Sequence, residues 1–314
     1  MAAESDIAPL PNPPTGSGLT ARRLDAGEVD TALRLCPFED IDADVIRREL
    51  AAEADYCWMG LFTPDGTPAA VHRAMRWNRH LLLKGVFVDD EFRGSGASLD
   101  VAFAIRDWAR EAGYEGVVAW VEPNKPEARL AARLRLRPVG PLLHRYLVQL
   151  PYGSDAERPA GPPPRTSGTL IVPDGGEAGG GEAGGGEAGG GEAGGGEAAP
   201  MVRELLGVPW SSSAGTRLAW VLDRSRLVLS GNPCHSTGDL DRFLAAVEDT
   251  AVSAGATAVE VLVEAADIPA ALAMAGLGAR RLSRSPVVLG RVSFAVAETS
   301  GTPVHPATTE LRTP

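Results

Sequence analysis

The 314-residue sequence predicts a mixed α/β fold in two copies, the second shortened. Three observations carry that expectation. Through residues 18–151, strand-period and helix-period apolar patterns follow one another in the order β-α-α-β-β-β-α-β-α-β. Near residue 88 a strand runs into a glycine-containing turn that opens an amphipathic helix. Finally, residues 226–278 can be laid on residues 84–136 without a gap at an offset of 142, so that strand, loop, helix, strand and helix match in order.

Leu19–Leu24 reads as a short strand, followed by helices around Gly27–Leu35 and Ala43–Ala54, with Asp42 placed to cap the second. Cys57–Phe62 is a strand pattern ended by the turn signal Pro64-Asp65-Gly66. Ala69–Met75 and His80–Val88 are two further strands. In Ala97–Ala112, residues Val101, Ile105, Trp108 and Ala112 share one helical face, and Gly113 stands where a C-cap glycine belongs. Gly116–Val121 is an apolar strand, Pro126–Leu136 a helix and Leu142–Leu150 a closing strand.

Composition excludes several classes. The net charge is −11 and no basic stripe is present, which argues against a nucleic-acid partner. Three scattered cysteines suit neither a disulfide framework nor a zinc site, so no metal and a cytoplasmic setting are expected. Nothing reads as a signal peptide or a membrane span. Residues 1–17 and 299–314 read as disordered arms. Residues 152–200 read as a linker rich in Pro and Gly, whose Gly-Gly-Gly-Glu-Ala repeat is too floppy and self-repelling to pack. The domains on either side are then 18–151 and 201–298.

The run from Gly85 to Ser98 carries the chemistry. N–H groups at a helix start lack intrahelical partners, the helix dipole favours an anion, and Gly94 and Gly96 let that anion approach the backbone. Ser95 and Ser98 can add hydroxyl donors. This run resembles the phosphate-binding motif of the GCN5-related N-acetyltransferase (GNAT) family, Arg/Gln-x-x-Gly-x-Gly/Ala after a strand. Arg93 fills the first position, Gly96 the fourth, and Ser98 the sixth, where Gly or Ala is usual. The resemblance covers roughly residues 18–151.

That resemblance implies acetyl-CoA as co-substrate. Its pyrophosphate would lie on Arg93, Gly94, Ser95, Gly96, Ala97 and Ser98, and its pantetheine arm along the backbone of Val86, Phe87 and Val88. The strand Gly116–Val121 would splay away to admit the arm, and Asn124 matches the family's Asn after this strand. The slot of the family's frequent tyrosine acid holds Ala131. In the second copy the loop matched at the same offset, His235–Leu240, keeps only Gly238, so CoA binding is not expected there.

Glu122, at the end of its strand beside the expected acyl group, has two readings: a base for an incoming ammonium, or a solvated strand-end charge. His72 and His80 lie on strands near a possible acceptor entrance and read as surface or core histidines rather than bases. The expected activity is transfer of an acetyl or other short acyl group from CoA to an amine of a small molecule or peptide. The alternative is a catalytically inactive acyl-CoA-binding or interaction module. The second copy could cover the acceptor cleft, form a homodimer or be a relic.

Overall fold

A computed structural model describes residues 18–36, 41–150, 166–172, 216–229, 244, 246–248, 250–251 and 253–294. The expected terminal arms, the Gly-Glu repeat and the loop His235–Leu240 lie outside the described residues.

The first half follows the predicted order. Strand β1 (Thr20–Arg23) is followed by helices α1 (Val29–Leu35) and α2 (Ala43–Ala51), then by β2 (Tyr56–Phe62), β3 (Pro68–Trp77) and β4 (His80–Val88). Asp42 does cap α2, accepting from the Val45 N–H at 2.8 Å. A 3-10 turn at Asp90–Phe92 leads into α3 (Ala97–Glu111), β5 (Gly116–Val121), α4 (Glu127–Arg133) and β6 (Arg137–Gln149). Strand β6 starts five residues before the expected Leu142, because Arg137–Leu143 pairs with a strand from far along the chain. The second half contributes β7 (Ser167–Val172), β8 (Thr216–Asp223), β9 (Arg226–Leu229), β10 (Ala258–Glu264), α5 (Ile268–Gly276), β11 (Arg280–Arg281) and β12 (Val287–Ser293). Residues 244, 246–248, 250–251 and 253–254 are helical. Strand β7 falls inside the stretch expected as linker, since the apolar run Leu170-Ile171-Val172 interrupts its Pro/Gly composition.

The two stretches expected as separate domains share one sheet, ordered β1-β2-β3-β4-β5-β12-β6-β10-β9-β8-β7, with β11 beside β6. Strand β12 is inserted between β5 and β6: Gly116 pairs with Ser293 and Val121 with Val288. Reciprocally, β6 pairs along β10, Ala258 with Gln149 and Glu264 with Leu143. Each half therefore lends its last strand to the other. The parallel ladders correct the gapless match. Strand β4 pairs His80 with Gly116, whereas β9 pairs Arg226 with Ala258. Strand register thus equates Arg226 with His80, four residues from the offset of 142.

Alternation along the strands sorts the core by face. Val117 and Val121 of β5 join Ala97, Val101, Ile105 and Ala109 of α3, while Val259, Val261 and Val263 of β10 join Val247, Ala251 and Met274. The register carries both sets to one side of the sheet. On the other side, α1 and α2 cover Trp58 and Val71. Beyond them the hairpin β8–β9 folds over β3–β5, so that Val221 and Val228 meet Tyr56, Met75, Trp77, Leu82 and Val118. Tyr56 donates its hydroxyl to the Leu222 carbonyl, and Trp77 Nε1 donates to the Leu229 carbonyl at 3.0 Å.

A buried charge cluster lies where hairpin and first half meet. Arg73 is 1% exposed. It donates to both oxygens of Glu49, with Nε 2.8 Å from Oε2, and its Nη2 is 2.8 Å from Asp223 Oδ1. Trp58 Nε1 holds Glu49 Oε2 at 2.9 Å, and Lys84 Nζ lies 3.0 Å from Asp223 Oδ2. Burial alone would raise the Asp223 carboxyl, but Lys84 and Arg73 outweigh it and hold the group well below the usual carboxylate range. Removing one partner from such a cluster leaves an uncompensated buried charge. Arg73→Met should cost about 3–5 kcal/mol in denaturant unfolding. A loss under 1 kcal/mol would show that the cluster is solvated in solution.

Candidate active site

The cleft is built from the divergence of β4 and β5. Their parallel ladder runs only from His80–Gly116 to Leu83–Ala119. At the next residue β4 carries a bulge: Arg73 faces Gly85 and Ala74 faces Leu83, leaving Lys84 as the extra residue. Asp89 donates its N–H to the Ala69 carbonyl, so Phe87 and Gly85 are the residues hydrogen-bonded to β3. By alternation the N–H and C=O groups of Val86 and Val88 face the gap that β5 leaves.

The gap opens into a cleft of about 880 Å³ lined by Val86, Phe87, Val88, Phe92, Arg93, Gly94, Gly96, Ala97 and Ser98, together with Leu35, Arg129 and Arg133. Gly94 (φ +84°) and Gly96 (φ +95°) hold the left-handed conformation that side chains disfavour, and nothing lies within 4 Å of where a Cβ would stand on either. Gly96 caps α3. Its carbonyl accepts from the Leu99 and Asp100 N–H groups, while the Ser98 N–H points beyond the helix start. The lining contains three arginines and no carboxylate. Arg93 Nη2 lies 2.7 Å from Asp90 Oδ1 at the surface. A recess with glycines at its base, free helix-start donors and guanidinium groups on its walls fits a pyrophosphate.

Most of the sequence-expected cofactor residues meet here, but two do not. Ser95 Oγ donates to the Phe92 carbonyl at 2.7 Å and accepts from the Ala97 N–H, so its hydroxyl closes the turn instead of facing the cleft. Asn124 lines a second cleft of about 460 Å³ with Pro123, Lys125, Pro126, Ala128 and Arg129. Arg129 lines both. Arg129 and Arg133 escaped the sequence reading, although their i,i+4 spacing on α4 was a usable signal. Ala131 is buried in the core beneath α3 and offers no proton.

Glu122 follows β5 and, one step beyond Val121, faces the same side as Trp120 and Lys84. Its Oε2 and the Trp120 Nε1 are both buried without a hydrogen-bond partner. Trp120 packs edge-on against Trp77, 5.9 Å between centroids, with the Arg145 guanidinium also 5.9 Å from its ring. Arg145 in turn is fixed by Glu260 of β10, Nε to Oε1 2.7 Å. His72 is buried on the α3 side of β3, away from this group. His80 is likewise buried at the start of β4. Burial pushes the Cys57 thiol up to about 12, which removes it as a nucleophile.

Residues 27–135 match the model of the acetyltransferase (GNAT) family. This segment is a GNAT domain. It transfers an acyl group from CoA to an amine, with acetyl-CoA as co-substrate. No curated protein matches the chain. Among solved structures, an assigned acetyltransferase from Pyrococcus horikoshii is similar at 9% identity and TM-score 0.49, covering 93% of each chain. A GCN5-related N-acetyltransferase from Sphaerobacter thermophilus is similar at 16% identity and TM-score 0.46, covering 90% of this chain and 96% of its own. At those scores neither likeness bears on function. Among the described residues no helix is long and apolar enough to cross a membrane, and no cluster of three metal-ligating side chains occurs.

Two outcomes follow for the GNAT domain. Replacing both Arg129 and Arg133 by Ala should raise the Kd for acetyl-CoA about 10–100-fold in calorimetry, the range expected for lost charge-assisted phosphate contacts. An unchanged Kd would remove α4 from the cofactor site. The second concerns acid. Burial holds the His72 ring down at about 3, and burial with Arg291 and Arg79 holds His80 at about 4. Unfolded rings take a proton near ~6.5, so both contribute stability above that pH and lose it as pH falls toward their folded values. Stability should drop by about 2 kcal/mol per ring between pH 7 and pH 5, and His72→Leu should remove about half of that slope. A slope unchanged in the variant would contradict the burial of His72.

Proposed function

We propose that the Val86–Ser98 cleft holds acetyl-CoA and that Glu122 is the base for an amine acceptor of small-molecule or peptide type. One observation carries the reading: the ladder between β4 and β5 stops at Leu83, directly above a glycine-floored, arginine-walled recess. The phosphates would rest on the N–H groups of Gly94, Gly96 and Ser98, with Arg93, Arg129 and Arg133 neutralising their charge. The pantetheine arm would run along the unpaired edge of Val86 and Val88. The co-substrate supplies an activated acyl thioester. An N–H facing the gap from Val86 is placed to donate to the oxyanion that develops on its carbonyl. Across the gap, Glu122 stands just past the end of β5, on the Trp120 side. An ammonium arriving from the Trp120 side would give its proton to the unpartnered Glu122 oxygen, and the neutral amine would then attack. With Ala131 in the acid slot, the departing sulfur draws its proton from solvent.

The chain as a whole is read as a tandem pair with a degenerate second half. The reciprocal loan of β6 and β12 supports this, as does the pairing of Leu143 with Val287 at its centre. The β6 and β12 registers against β10 and β5 relate the two strands by an offset of 144.

The test is release of CoA thiol from acetyl-CoA across a panel of primary amines, with wild type and Glu122→Gln. Turnover with at least one amine, reduced about 100-fold in the variant with unchanged acetyl-CoA affinity, is expected. Saturable acetyl-CoA binding without turnover on any amine would favour an acyl-CoA-binding module.

A further inference from the structure

Both arms of the cofactor wedge are held from beyond residue 200. The β5 arm is paired along its outer edge with β12, from Gly116–Ser293 to Val121–Val288. The β4 arm meets the hairpin through the apolar contact of Leu82 and, at the bulge, through an ion pair. Lys84, the extra residue there, directs its side chain away from α3 to Asp223, the last residue of β8. Asp223 is 0% exposed and faces four cations: Lys84 at 3.0 Å, Arg73 at 2.8 Å, Arg226 at 3.4 Å and Arg224 at 3.7 Å. Arg73 stands opposite Gly85 on β3, so the carboxylate grips the bulge from both strands that form it. The residues that follow within four positions, Val86–Val88, line the cleft.

We propose that Asp223 is a positioning residue for acyl-CoA: it clamps Lys84 and Arg73 and so fixes the β4 bulge that separates β4 from β5. This rests on the reading of the Val86–Ser98 cleft as the acetyl-CoA site. The physics is local. A buried ammonium without its counter-charge must either lose its proton or swing to water. Lys84 sits in the bulge itself, so a swing to water moves the backbone that receives the pantetheine arm, and loss of the proton frees the bulge from Asp223. The helix-start loop at Gly94–Ser98 belongs to another element and keeps its own support in α3.

That separation gives a selective readout. Acetyl-CoA spans both the loop and β4, whereas adenosine 3′,5′-bisphosphate reaches only the phosphate end. Titration of full-length wild type and Asp223→Asn with each probe separates the two contributions. The isosteric amide keeps an acceptor for Arg73 but removes the charge facing Lys84. The Kd for acetyl-CoA should rise about 10-fold or more, while that for the bisphosphate changes less than about 2-fold. Equal losses for both probes, or no loss for either, would overturn the proposal. Should Asp223→Asn fail to fold, Lys84→Met carries the same test from the β4 side with the same two decisive outcomes. Wild type that binds neither probe would instead sink the cofactor reading itself, and the clamp with it.

Discussion

Backbone groups of a central strand need partners, and β5 is paired along its whole length by residues 287–293, whereas β4 pairs only Gly116–Ala119. Without β12, the outer edge of Gly116–Val121 would stand open beside the cleft, and β6 would have no neighbour on that side. Gly116 shows how close the fit is. A Cβ built there would collide with the Val292 carbonyl, so the first residue of β5 has to be glycine for β12 to lie against it. The long excursion of the chain between residues 150 and 287 therefore ends by completing the sheet it left.

The second constraint is electrostatic. Arg73, Glu49, Asp223 and Lys84 bury four charges between β3, α2, β8 and β4. A buried ion cluster is a poor source of net stability, because desolvation consumes most of the Coulomb gain. It does discriminate sharply between arrangements, since any shift of the hairpin β8–β9 would leave a charge unpaired. Around it the hairpin is fixed further by Trp77 and Tyr56, which donate to carbonyls of β9 and β8, and the start of β7 beside it is held by Asp55. The latter accepts from Thr166 Oγ1 at 2.6 Å and from Ser167 Oγ at 2.9 Å. Apolar contact supplies attraction in this interface, and the polar contacts supply its register.

Much of the first half was legible because its signals are local. Asp42 caps its helix, Gly96 opens α3, and the short apolar-rich runs Cys57–Phe62 and Ala69–Met75 report strands whose partners are adjacent in sequence. The phosphate recess was legible for the same reason: Gly94, Gly96 and Ser98 are neighbours. What escaped depends on partners distant in sequence. The apolar pattern of Arg137–Gly140 does not by itself mark a strand, because its partner is β12. Nothing around Asp223 distinguishes it from a turn acid, because its cations come from β3, β4 and its own hairpin. The gapless offset of 142 also failed at β9, where a ladder displaced by four residues preserves the apolar pattern while changing which residues correspond. Arg129 and Arg133 gain their setting only from the cleft, whose other walls come from β4 and the start of α3.

The two halves share their central strands and so form one cooperative unit. Native-state hydrogen exchange on the full chain in rising denaturant tests this most directly. Amides of β5 and β12 should open together, with the same free energy and the same denaturant dependence, and β6 and β10 should open with them. Exchange of β12 and β10 through an earlier unfolding step, while Val117–Val121 of β5 stays protected, would contradict it.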